Sequence, residues 1–69
     1  MTQQEFRGRL LKIRILCQKK SESFIFNDEE AELVMNARRF VNDNENATNG
    51  YGHRMEVANK YWQKINRLP

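Results

Sequence analysis

Few side chains in this chain are equipped for covalent or acid–base chemistry. Cys17 is its sole thiol and His53 its sole imidazole. A nucleophile and a base could be made from that pair only if the fold brought the two within hydrogen-bond reach. Cys17, however, falls where apolar residues recur, which marks it as a small buried hydrophobe. A single cysteine rules out an internal disulfide, and one cysteine with one histidine is too few for a zinc site in one chain. Asp28, Glu29, Glu30 and Glu32 are close together but lack the alternation and central glycine of a calcium-binding loop. Gly50-Tyr51-Gly52 is too short to read as a phosphate loop. The chain therefore reads as non-enzymatic, with no cofactor and no metal.

Charge is the more informative chemistry. The formal net charge is +3, but it is divided unevenly. Residues 1–20 carry +5, residues 21–47 carry −5 and residues 48–69 carry +3. One reading sets the acidic middle against the two basic ends. Another combines the ends into a basic surface for nucleic acid or an acidic partner. At about 100° per residue, His53, Lys60, Lys64 and Arg67 share a narrow arc of the last helical stretch, and Arg9, Lys12, Lys19 and Lys20 share a wider arc of the first. Stripes of this kind can follow phosphates. No tight helix-turn-helix connection is visible, which favours nonspecific contact over base reading. Phe24 and Phe26 are candidates of another kind, either closing the core at an element boundary or anchoring a partner protein.

These side chains need elements to hold them. Thr2-Gln3-Gln4-Glu5 matches a capping box, and Phe6, Leu10, Ile13 and Cys17 follow at helical spacing. Leu11 and Ile15 fall on the far side of that helix, as a second buried face at a dimer contact would require. The competing reading pairs Lys12–Leu16 with Phe24-Ile25-Phe26 as a β-hairpin ahead of two helices. A lone hairpin is marginal in water, so helix is the stronger assignment. Asn27 with Glu30 reads as a second cap, and the acids after it suit a helix N-terminus. Tyr51, Met55, Ala58, Trp62 and Ile65 make the last stripe. Residues 42–50 are polar apart from Ala47 and read as a solvated loop.

The expected fold is an all-α three-helix bundle, one domain over residues 1–69, with helices at about 3–19, 28–42 and 51–68. Its expected core is Phe6, Leu10, Ile13, Leu33, Ala37, Phe40, Met55, Ala58, Trp62 and Ile65, closed around the single tryptophan. The sequence opens on Met1 and reads as a complete small product. It shows no export signal and no membrane-length apolar run, and its lone thiol suits the reducing cytoplasm. A core this small is marginal, which points to a protein partner or a homodimer. The leading expectation is a small cytoplasmic regulatory protein that binds a larger partner protein, of the kind phages and mobile elements encode. The alternative is a nucleic-acid-binding protein using the basic faces of the first and last helices.

Overall fold

Thr2 accepts a hydrogen bond from the Glu5 amide on its hydroxyl at 3.1 Å, and the first helix starts directly after it. The computed structural model describes residues 2–69, which form α1 (Gln3–Ser23), α2 (Asp28–Asn44) and α3 (Tyr51–Asn66). Among the described residues there is no strand, so the hairpin alternative is excluded. Residues 12–16 lie inside α1, and Phe24–Asn27 is a short extended connection.

Each helix start has its own chemistry. At α2 the capping box is complete: the Glu30 amide donates to Asn27 Oδ1 at 2.8 Å, and the Asn27 amide donates to Glu30 Oε1 at 3.0 Å. These bonds satisfy two amides that a helix otherwise leaves open. At α3 neither Thr48 nor Asn49 caps. The N-cap is Gly50, whose φ of 69° lies in the left-handed region that glycine enters without steric cost. Side chains from the neighbouring turns support this start. Tyr51 donates its hydroxyl to the Ala47 carbonyl at 3.1 Å, and Arg54 Nε donates to the Asn49 carbonyl at 2.9 Å.

The helices run up, down and up. Arg14 reaches Asn42 and Glu45 while Ser21 meets Arg38, so α1 and α2 are antiparallel. Phe6 stacks near Tyr51 and Lys20 bonds to Leu68, so α1 and α3 are parallel. The core is Phe6, Leu10, Ile13 and Cys17 from α1, Val34, Ala37 and Val41 from α2, and Met55, Ala58 and Ile65 from α3. Burying a side chain of leucine or phenylalanine size contributes about 1.5–3 kcal/mol, which makes this cluster the main support of the bundle.

α2 runs two residues past its expected end and α3 stops two residues short of its own, and three larger features differ from the sequence expectation. First, α1 continues to Ser23, four residues past the expected end. Its polar last turn is held by a Gln18–Glu22 bond of 2.9 Å and by Lys20, whose ammonium donates to the Leu68 carbonyl at 2.7 Å. Second, α2 is rotated. Val34 and Val41 take the interior, while Leu33 and Phe40 are only partly buried at its edge. Third, Trp62 is partly buried against the core rather than enclosed by it. The bundle closes on Phe6, Ile13 and Ile65 instead.

Candidate interaction surfaces

The outer face of α3 is built by the helical period. Met55, Ala58 and Ile65 fix which side faces inward, so His53, Lys60, Lys64 and Arg67 lie roughly opposite and all four are exposed. None of them forms an ion pair. The one ion pair among the described residues joins Arg14 to Glu45 at 2.7 Å. That pair is also the one close ionic contact, among the described residues, between the acidic middle of the chain and its basic ends.

The cations of α1 are arranged differently. Arg9 sits with its guanidinium 5.2 Å from the Trp62 ring centroid, a cation–π distance. Lys12 and Lys19 flank the same indole together with Ile15 and Leu16. Lys20 is half-buried and spends its charge on the Leu68 carbonyl, 6.0 Å from the Phe24 ring. The expected stripe of four is thus a pair of exposed lysines, one stacked arginine and one structural clasp. The hollow beside Trp62 takes none of the outward α3 cations.

Apolar exposure is concentrated elsewhere. Among the described residues, Leu11 and Ile15 on α1, Met35 on α2, and Phe24 and Ile25 between these helices are the large hydrophobic side chains left open, and α3 has none. Ile25 is 101% exposed and Phe24 44%. Phe26 turns inward and is half-buried, lining an open groove of about 530 Å³ with Ser21, Ala31, Val34, Met35 and the two arginines Arg38 and Arg39. The sequence reading had named Phe24 and Phe26 and passed over Ile25 and Met35. The run Phe24-Ile25-Phe26 was the available signal, because a connection too short to fold back over itself cannot bury three successive large side chains.

Cys17 and His53 are not brought together. Cys17 is buried in the third quarter of α1, whereas His53 is exposed at the start of α3, at the end of the rod that holds Phe6. The eleven residues from Phe6 to Cys17 span roughly 16 Å of helix. Burial pushes the Cys17 thiol above the ordinary range, with the Arg38 guanidinium acting in the opposite direction. Among the described residues no three histidine, cysteine or acidic side chains converge as metal ligands would.

Sequence reading also missed a polar cluster. Asn44, expected in the solvated loop, is 6% exposed and ends α2. Its amide nitrogen donates to the Phe40 carbonyl at 2.8 Å, and its amide oxygen accepts from Arg54 Nη1. Arg54 thereby ties the end of α2 to the start of α3. No described helix is long and apolar enough to cross a membrane. No family model matches the chain, and neither the curated proteins nor the solved structures include one significantly similar to it.

Proposed function

We propose that this chain is a small non-enzymatic interaction protein that binds and modulates a larger protein, which it engages through the corner between α1 and α2. The observation that carries this reading is Ile25, open to solvent over its whole surface and set between Phe24 and the mouth of the groove at Phe26. Contiguous exposed apolar side chains rimmed by polar ones are the usual mark of a binding surface. Aromatic and aliphatic anchors at such a site supply most of the binding energy once a partner desolvates them. Affinity capture from the native host tests this. The chain should retain one defined protein, the Phe24→Ser/Ile25→Asp variant should release it, and Lys60→Glu/Lys64→Glu should keep it. Retention by the corner variant would overturn the assignment.

A second reading rests on the three unpaired cations Lys60, Lys64 and Arg67 on the outer face of α3 and its C-cap, with His53 beside them and Glu56 as the one acid. It assigns that face to nucleic acid. Its test is a salt titration with duplex DNA. Association should be micromolar or tighter, fall steeply with salt and vanish on reversing Lys60 and Lys64. Salt-independent or absent binding removes this reading.

A further inference from the structure

Helix α1 carries two regular stripes, and the bundle uses one. The inward stripe of Phe6, Leu10, Ile13 and Cys17 is buried. On the opposite side Gln4, Gly8, Leu11, Ile15, Gln18 and Glu22 follow at alternating steps of four and three, within an arc of about 80°. All six are exposed, and Leu11 leaves 56% of its surface in water and Ile15 46%. A Cβ placed on Gly8 would stand in open space, so a neighbouring backbone can come close there.

Alternating steps of four and three make the seam of a coiled coil, and the positions that flank the seam choose its partner. Here the flanks are Lys12 and Lys19 on one edge and Arg7 and Arg14 on the other, all exposed. Glu5 opens the lysine edge and Ser21 ends the arginine edge. Glu22 ends the centre line, where Gln18 donates to it at 2.9 Å. Arg14 is held by Glu45, which leaves Arg7, Lys12 and Lys19 without a carboxylate partner among the described residues. A hollow adjoins each edge. One of about 250 Å³ lies beside Leu11, between Arg7, Arg14 and Asn46, and one of about 140 Å³ lies beside Ile15, between Lys12, Lys19 and Trp62.

We infer that the outward face of α1 docks an acidic amphipathic helix of another protein, one whose apolar seam runs between rows of glutamate or aspartate. Apolar side chains of that helix enter the hollows on either side of the Leu11–Ile15 ridge, and its acids meet the cations along the edges. The same cations disfavour a second copy. In a parallel pair, Arg7 and Arg14 would face the other copy's Lys12 and Lys19. In an antiparallel pair each edge meets itself, which opposes Lys12 to Lys12 and Arg14 to Arg14 and leaves Glu5 with Lys19 as the one favourable contact. A bilayer surface takes a broad apolar face, whereas this one is two side chains with Gln18 and Glu22 in line. Duplex phosphates would match the cations but leave Leu11 and Ile15 uncovered. From Gly8 to Gln18 the contact is about 15 Å long, so binding is of modest strength and weakens with salt.

This surface goes beyond the proposed function and stands without it, because Ile25 follows α1 and lies off the seam. The probe is a synthetic helical peptide of about three heptads, with leucine and isoleucine in the seam and glutamate at every flanking position. Titrated into the chain, it should bind saturably at up to about 1 mM and more weakly as salt rises. The same peptide with lysine at the flanks should not bind. Leu11→Gln/Ile15→Gln and Lys12→Glu/Lys19→Glu should each lose about tenfold or more in affinity with unchanged helical circular dichroism. Ile25→Asp should bind the peptide as the natural chain does, which separates this face from the corner. Equal binding of both peptides, no binding of the acidic one, or full affinity in the Leu11→Gln/Ile15→Gln variant overturns the inference. So does a chain that dimerises through Leu11 and Ile15, or one that ignores the peptide and uses these residues to hold phosphatidylserine vesicles or duplex DNA.

Discussion

On the outer face of α3 the exposed side chains include His53, Glu56, Lys60, Lys64 and Arg67, with no large hydrophobic among them; on the side formed by α1, α2 and their connection, Leu11, Ile15, Phe24, Ile25 and Met35 are all open to water. Both surfaces hang from the same core, ten side chains among the described residues. Their difference shows how a small bundle divides its surface between ionic and apolar exposure. The α3 helix packs its apolar residues almost wholly inward, and its remaining surface is free to be ionic. The other two helices carry more apolar residues than one interior can accept, and the surplus defines where another molecule can be covered.

The comparison can be broken most severely from inside. Phe6→Ala removes a ring that is 1% exposed and should cost about 3–5 kcal/mol. That is a large part of the stability of a small domain, so chemical denaturation should show both surfaces lost together. Asn44→Ala comes next. It leaves Arg54 Nη1 without its acceptor, while Nε keeps the Asn49 carbonyl, and should cost about 1–3 kcal/mol, read as a lower urea midpoint. Because Asn44 joins α2 to the start of α3, hydrogen exchange should rise at residues 45–54 and stay unchanged at the α1–α2 corner.

Smaller effects separate the two surfaces more sharply. Asn27→Ala removes the complete capping box and should cost about 1 kcal/mol, loosening the corner rather than α3. Ile25→Asp and Lys60→Glu should each change stability by less than about 0.5 kcal/mol, since neither side chain supports the fold. Under the two proposed readings, the first should act on partner capture and the second on DNA association.

The smallest effect is one of pH. The Cys17 thiol is raised by burial, so the folded state holds its proton longer than the unfolded state does. The stability tied to this group is therefore intact at neutral pH and is lost as pH climbs past the ordinary thiol value of about 8.5. Urea titrations from pH 7 to 10 should show that decline, and Cys17→Ala should lack its early part.

Much of the fold was legible because the spacing of apolar residues in α1 and α3 leaves one choice of inward face. Phe6, Leu10, Ile13 and Cys17 are all buried, as are Met55, Ala58 and Ile65. In α2 the apolar set 33, 34, 37, 40 and 41 spans a wide arc. Which edge turns inward depends on where α1 and α3 sit, and that placement is not written in one helix. Trp62 misled for a related reason. Its size suggested a centre, but its indole can lie at a boundary, where Arg9 covers one ring face. The basic stripe of α1 failed as a unit because a helical wheel places side chains and does not say what they bond to. Lys20 reaches a carbonyl forty-eight residues away. Asn44 looked like loop because its partners, the Phe40 carbonyl and Arg54, are visible only once α2 and α3 meet.

With α1 and α3 running the same way, the two ends of the folded chain lie at opposite poles of a rod 35 Å long. A circular permutant would need a bridge of about ten extended residues to rejoin them. Cargo fused before Thr2 and cargo fused after Pro69 would be held apart by the length of the molecule, one beside Tyr51 and the other beside Lys20.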